Sequence, residues 1–324
     1  MQLRLLKQLL GAAALAIAAG AAAGAETYPA RPIRVLVPIP PGGAPDIAAR
    51  VIGQHLSEIL KQPVVVENRP GANGTIAGDA VAKSPPDGYT LLLTMDSTIV
   101  INPHLFAKQP YNPQTDLIPI ASIATNQFVL TINPALPVKN FKEFVEYARK
   151  ANPPLNYASG GNGSQHHLTM ELLKQRAGID LVHIPYKGGA PATMATLSGE
   201  TPVMFAGSSN AGQIKMGKLK GIAVTSKVRT NDYPDLPAIA ESYPGFEAQI
   251  WLGLFAPAGT PPQIVERLRS ETLKILKTAD VKQRFNAAGG MDPFITTPKE
   301  FDDLMKYELE KYGKVVKSSG IKLD

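Results

Sequence analysis

Short runs of apolar, often β-branched residues alternate along the chain with longer stretches in which apolar positions return every third or fourth residue. The first run, IRVLVPI at 33–39, has the continuous apolar character of a strand buried on both faces. Pro40, Pro41, Gly42 and Gly43 cannot extend a ladder or a helix, so the run ends there. Beyond them Ile47, Val51 and Ile52, then His55, Leu56, Ile59 and Leu60, recur at helical spacing, which predicts a helix opening near 44–46. A strand at 64–67, a small-residue helix at 75–83 and a strand at 89–94 follow. That order predicts parallel strands joined by right-handed crossovers.

The pattern then changes and resumes. Residues 101–119 carry four prolines and read as irregular connection, and 120–132 (IASIATNQFVLTI) as an extended run long enough to pass between two units. Phe141, Phe144, Val145 and Ala148 mark one face of a helix at 141–149. Strands are expected at 155–158, 181–185, 202–206 and 219–226, with helices after the first three. Residues 246–257 read as a strand that crosses back, and helices are expected at 261–278, 280–288 and 298–318. Thr297, Pro298 and Glu300 form the start signal of the last one. The fold class expected is α/β in two lobes, each a mixed, mostly parallel sheet flanked by helices. Residues 26–124 with 248–324 make the first lobe and 125–247 the second.

Two strand–loop–helix corners stand out, one in each unit: 38–46 and Ser159-Gly160-Gly161-Asn162-Gly163-Ser164. Each aims unpaired backbone N–H groups and the positive end of a helix dipole at the carboxyl edge of its sheet, which suits an anion. Met95, Asp96, Ser97 and Thr98 end the strand at 89–94 at the same kind of edge, where ligands gather in open α/β sheets. Neither glycine loop has the phosphate-binding Gly-x-x-x-x-Gly-Lys-Ser/Thr pattern, and the first lacks the dinucleotide spacing, so no nucleotide cofactor is expected. Asp46 has three readings: a cap, a partner for a ligand ammonium or hydroxyl, or a charge that repels a second carboxylate. His166 and His167 are adjacent and project about 100° apart on a helix, so they do not form a metal pair. A hydrolase reading would use Ser159 or Ser164 with His167, but no nucleophile-elbow pattern surrounds either serine.

Composition narrows the classes. The 324 residues are 44% hydrophobic and 19% charged, enough for a full core. There is no cysteine, which excludes disulfides, thiolate metal sites, a cysteine nucleophile and a lipid anchor on cysteine. The net charge is +6, yet Lys and Arg are scattered, so no nucleic-acid partner is expected. Arg4 and Lys7 precede an Ala-rich apolar run that ends in Ala23-Gly24-Ala25, the signature of a secretory leader over 1–25 cleaved near Ala25. The mature chain is expected in an exported compartment.

Several ordered blocks carry a resemblance: YPARPIRVLVPIPPGGAPDIAAR (28–50), VVVENRPGANG (64–74), PPDGYTLL (85–92), YASGGNGSQHH (157–167), HIPYKGG (183–189) and WLGLFAPAGTPP (251–262). Over nearly its whole mature length the chain resembles the periplasmic solute receptors of tripartite tricarboxylate transporters, the Bug family. The resemblance implies a hinged periplasmic-binding-protein fold, type II-like. It also implies a monomer in the periplasm that captures a small carboxylate and delivers it to membrane permease subunits, with no cofactor and no metal. The ligand classes implied are di- and tricarboxylates, aromatic acids and acidic amino acids. The carboxylate would be held by loop amides and hydroxyls rather than by arginine. Carried over by position, the first loop gives Ile39, Gly43, Ala44 and Asp46, and the strand-end stretch gives Asp96, Ser97 and Thr98. The family often has Phe in place of Ile39, which leaves ring stacking open there. The second loop gives Ser159, Gly161, Gly163, Ser164 and His167, with Ser208 from the next loop. An exported hydrolase, or a receptor that signals to a membrane sensor, are the alternatives.

Overall fold

The computed structural model describes residues 28–207, 210–230, 232–287 and 290–323. The leader expected at 1–25 lies outside the described residues. Strand β1 (Ile33–Val37) buries all its residues but Arg34 and pairs in parallel with β2 (Val64–Asn68) and β3 (Thr90–Met95). Helix α1 (Ala44–Leu60) connects β1 to β2 and buries Ala48, Val51, Ile52 and Leu56. Ile59, expected inside, is exposed; adjacent helical residues diverge by about 100°, and Leu60 takes the buried side. Helix α2 (Thr75–Ala82) makes the next crossover. β4 (Leu117–Gln127) and β10 (Gln249–Pro257) are the long strands of this sheet, antiparallel to each other, with β10 also antiparallel to β3.

The extended run at 120–132 is divided between two sheets. It breaks at Phe128, after which β5 (Val129–Ile132) pairs antiparallel with β8 (Val203–Ala206) and β9 (Lys220–Val224). The Phe128 amide donates to Thr225 Oγ1 at 2.9 Å, and the Thr225 amide donates back to the Phe128 carbonyl at 3.0 Å. The outgoing and returning segments are therefore tied at the crossing point. β6 (Leu155–Ser159) is parallel to β7 (Leu181–Pro185) and to β8. The sheet orders are β11-β4-β10-β3-β1-β2, with β11 at Asp292–Pro293, and β7-β6-β8-β5-β9. Both sheets are mixed, and each with its helices forms one lobe.

Helices α3 (Phe141–Lys150), α4 (Gln165–Ala177), α5 (Gly189–Ser198) and α6 (Ala211–Lys215) belong to the second sheet. α7 (Pro262–Leu276), α8 (Ala279–Ala287) and α9 (Pro298–Ser319) close the first. Helix α9 starts with a capping box: Thr297 Oγ1 accepts from the Glu300 amide at 3.2 Å, and Glu300 Oε2 accepts from the Thr297 amide at 2.8 Å. Trp251 of β10 is buried edge-on against Phe301 of α9, with ring centroids 5.1 Å apart, and its Nε1 donates to Glu308 Oε2 at 2.6 Å. Further along, α9 reaches the second lobe, where Gln175 Nε2 of α4 donates to Ser318 Oγ at 2.7 Å. Among the described residues no helix is long and apolar enough to cross a membrane.

Candidate functional site

Three segments meet at the carboxyl edge of β1, β2 and β3. Gly42 takes a positive φ of 90° to turn the chain out of the strand, and Gly43 caps α1. A Cβ on Gly43 would fall 2.3 Å from Ile39 Cδ1, so a larger residue there would have to displace the Ile39 side chain. Gly74 is as confined: a Cβ there would lie 2.4 Å from Thr98 Oγ1 and 3.1 Å from Pro38 Cβ. Asn73 Nδ2 donates to Asn102 Oδ1 at 2.6 Å, and Asn102 Nδ2 donates to the Asn73 carbonyl at 2.9 Å. The loop after β1, the turn before α2 and the stretch after β3 thus form one surface.

Asp46 sits behind that surface, 2% exposed. Its Oδ2 accepts from the Gly42 amide at 2.9 Å and from Arg50 Nε at 3.1 Å, and its Oδ1 accepts from Asn68 Nδ2 at 2.9 Å. Burial alone would raise the Asp46 carboxyl, but the hydrogen bonds from Arg50, Gly42 and Asn68 outweigh it and hold it below the usual range. Asn68 Nδ2 also donates to the Ile39 carbonyl at 3.0 Å. Both oxygens of Asp46 are engaged in holding the loop. Of its sequence readings, the structure contains a variant of the cap: an acid in the first turn reaching back to the amide before Gly43. Asn68 anchors the loop, and nothing local in the sequence marks it for that role.

In the second lobe the loop after β6 folds on itself. Ser159 is fully buried; its Oγ accepts from the Gly161 amide at 3.0 Å and lies 2.5 Å from His183 Nε2. His167 Nδ1 accepts from the Gly163 amide at 3.1 Å, which places the ring proton on Nε2. Ser164 caps α4, its Oγ accepting from the His167 amide at 3.4 Å. The amides of Gly161 and Gly163 are therefore spent inside the loop. The first-turn amides of Gln165 and His166 and the Ser164 hydroxyl proton are the donors that the loop leaves unspent. Burial pushes both His167 and His183 down to about 4, so each ring is neutral at neutral pH. The serine that reaches a histidine is Ser159, and its partner is His183 rather than His167. With Ser159 fully buried, that pair braces the loop and presents no nucleophile to solvent.

The two surfaces face each other. A Cβ on Gly163 would meet Leu105 Cδ1 at 2.4 Å and Leu323 Cδ1 at 3.1 Å, both in the first lobe. Gln165 Nε2 donates to Asp96 Oδ2, and Asp96 Oδ1 accepts from the Ser97 amide at 2.6 Å. Asp96, Ser97 and Thr98 are buried to 2% or less, so they form the floor between the lobes rather than its open wall. Ser208 lies outside the described residues; its neighbour Asn210 is buried, with Oδ1 accepting from Thr193 Oγ1 at 3.0 Å. Among the described residues no group of three or more His, Asp or Glu side chains is placed to hold a metal ion. Chemically, each lobe offers a helix N-terminus that suits an anion, that of α1 after Gly43 and that of α4 after Ser164.

A model of the tripartite tricarboxylate transporter family receptor matches residues 48–321. Protein BugT of Bordetella pertussis is 38% identical over 305 residues, covering 92% of each chain. Among solved structures, R. palustris Rpa4515 with adipate has a TM-score of 0.83 at 31% identity, over 91% of this chain and 99% of that one. MatC from Rhodopseudomonas palustris with bound malate has a TM-score of 0.78 at 32% identity, over 89% of this chain and all of the other, 100%.

Proposed function

Because the chain belongs to the tripartite tricarboxylate transporter receptor family, we propose that it captures a small dicarboxylate between its lobes and delivers it to the permease subunits of such a transporter. What supports this reading is the seating of the loop before α4 on the first lobe, Gly163 against Leu105 and Leu323 and Gln165 on Asp96, which brings the N-terminus of α4 to the lobe that carries the N-terminus of α1. A dicarboxylate of the size of adipate or malate, the ligands of two related structures, has an acceptor group at each end to meet them. The amides of Gly43 and Ala44 take one carboxylate against the side chain of Ile39. The Ser164 hydroxyl and the Gln165 and His166 amides take the other, with Ser208 as a further contact assigned from sequence alone. Asp46, Asp96, Ser97, Thr98, Ser159, Gly161, Gly163 and His167 act from behind, by holding those donors in place. Lobes of 26–124 with 248–324 and of 125–247 close on the ligand, and the closed monomer is what the permease recognises in the periplasm.

A thermal-shift and calorimetric titration tests the reading with adipate, L-malate, citrate, benzoate and L-glutamate. A ligand at a hundred times its dissociation constant adds about 2.7 kcal/mol of stability, a rise of a few degrees in Tm for a chain of this size. Saturable binding of a dicarboxylate with one site per chain supports the proposal. No shift with any of the five, on folded protein freed of co-purified ligand, overturns the carboxylate assignment.

A further inference from the structure

Between the two lobes, directly beneath the second-lobe loop, lies a cluster of buried polar side chains that capture of the ligand does not itself use. Gln165, the residue after the α4 cap, is 6% exposed and sends its side-chain amide out of the second lobe onto Asp96 of the first. Around Asp96, helix α9 contributes Glu308, 4% exposed, and Tyr312, fully buried. Glu308 is held by Trp251 Nε1 at 2.6 Å and by Lys311 Nζ at 3.5 Å. Two atoms in this cluster, Gln165 Oε1 and the Tyr312 hydroxyl, are buried without a well-formed hydrogen bond, although the two side chains face each other. Leaving two such groups unmet is costly in a site that is otherwise satisfied.

With the amide as placed, Nε2 donates to Asp96 Oδ2 and Oε1 faces the Tyr312 hydroxyl, a donor matched to it. With the amide turned over, Oε1 would face Asp96 and accept from it when that carboxyl carries a proton. In either orientation Gln165 bonds Asp96 across the lobes, and Asp96 Oδ1 keeps its bond from the Ser97 amide. A proton on Asp96 fits its surroundings: it is buried beside the Glu308 carboxylate, whose own countercharge, Lys311, is already engaged, and the groups bonded to it are the Ser97 amide from its own turn and Gln165 from α4.

We propose that Gln165 is the positioning residue that holds the anion-binding loop of the second lobe against the first, through its side-chain hydrogen bond to the buried Asp96. Gln165 is covalently next to Ser164, whose hydroxyl the ligand would engage, so any shift of Gln165 displaces the donor itself. The proposal rests on the carboxylate-receptor reading for its effect on affinity, but the docking of the loop on the first lobe is independent of any ligand.

The test exchanges acid and amide. Hydrogen exchange at the backbone amides of 159–167 is measured without ligand, and adipate affinity by calorimetry, from about pH 5 to about pH 8. Gln165→Ala should speed exchange in the loop and weaken adipate about tenfold, as loss of one buried hydrogen bond predicts. Gln165→Glu faces one carboxyl with another: protection should survive near pH 5, where they share a proton, and fall by about pH 8, where the parent stays protected. The double variant Asp96→Asn with Gln165→Glu restores an amide donor opposite a carboxylate and should recover protection at the higher pH. Unchanged loop exchange in Gln165→Ala, a flat pH response in Gln165→Glu, or no recovery in the double variant would each overturn the proposal. If the exchange results follow the expected order while the parent fails to bind adipate, the loop docking stands and the adipate assignment falls.

Discussion

The imidazole rings of His167 and His183 stack with their centroids 3.6 Å apart, His167 on helix α4 and His183 on strand β7. Tyr157 flanks the pair, its ring centroid 5.0 Å from that of His183 and 6.3 Å from that of His167. Each histidine also braces the loop that ends at Ser164, His167 through the Gly163 amide and His183 through Ser159 Oγ. The stack is therefore the rear wall of the candidate site, and it needs both rings uncharged: two imidazolium rings at this distance would repel, and a protonated His167 Nδ1 could no longer accept from Gly163.

Acid should loosen this wall within a definite window. Both rings are lowered from 6.5 to about 4 by burial, so the unfolded chain takes up protons that the folded chain refuses. The contribution is fully present above pH 6.5 and is lost as pH falls toward about 4, where the folded rings begin to protonate. Urea unfolding across that range should show falling stability, each such proton adding up to about 1.4 kcal/mol per pH unit to the slope. His183→Gln should flatten the slope; an unchanged slope in that variant would show that the ring titrates normally.

Asp96 has the opposite sign. Burial and the neighbouring Glu308 raise its carboxyl well above 3.8, so the folded chain holds a proton that the unfolded chain gives up. The penalty is absent below pH 3.8 and grows with rising pH until the folded carboxyl ionises. Asp96→Asn removes it, so that variant should match the parent in acid and exceed it in stability near neutral pH. Denaturation midpoints at two pH values measure the difference; a variant less stable than the parent at both would mean that Asp96 is an ion stabilised by its surroundings.

Gly163 and Gly178 both take positive φ, 70° and 60°, but only Gly163 is crowded. A Cβ at Gly178 meets nothing within 4 Å, whereas at Gly163 it would overlap Leu105. Gly178→Ala should cost about 1 kcal/mol, the strain of a left-handed alanine. Gly163→Ala should cost that plus about 1–3 kcal/mol of overpacking, and it should also separate the loop from the first lobe. Chemical denaturation of the two variants side by side checks the ordering; equal losses would mean that Leu105 yields freely.

What could be read along the chain was local. The start of α1 follows from Gly42, Gly43 and the spacing of Val51, Ile52 and Leu56, and the start of α9 from Thr297 and Glu300 three residues apart. The glycine loop at 159–164 was visible for the same reason: its helix start is written in adjacent residues. The braces were not visible, because their partners are remote. Ser159 meets His183 across 24 positions and Gln165 meets Asp96 across 69, and no periodicity joins such pairs. Trp251 and Glu308, 57 residues apart, pair for the same reason only in three dimensions. The antiparallel insertion of β10 between β3 and β4 was equally hidden, since an apolar run does not say which neighbours it will find.

Asp46 tests whether the first loop is braced or charged for discrimination. Its carboxylate accepts from Gly42, Arg50 and Asn68, so Asp46→Asn loses the charge-assisted bond to Arg50 and should cost about 1.5–3 kcal/mol in stability. Affinity should fall for every carboxylate alike, because the amides at Gly43 and Ala44 lose their support. A changed rank order among adipate, malate and citrate would instead mean that Asp46 meets the ligand directly.

Ser164 separates helix capping from anion binding, because aspartate serves the first role and opposes the second. The Ser164 hydroxyl oxygen accepts from the His167 amide, which leaves its proton to donate to a ligand. Ser164→Ala loses both functions: about 1 kcal/mol of stability from the cap, and about 0.5–1.5 kcal/mol of ligand affinity from the donor. Ser164→Asp keeps the acceptor and, at a helix N-terminus, places a favourable charge, so Tm should stay at or above that of the parent. It also puts a carboxylate where the ligand's own would sit. At about 4 Å, two like charges in a partly desolvated cleft repel by several kcal/mol, which corresponds to a loss of affinity of a hundredfold or more. Calorimetry with adipate reads the second effect and a melting curve the first. Full stability with abolished binding would place the ligand's carboxylate on the N-terminus of α4; full stability with undiminished binding would move it elsewhere.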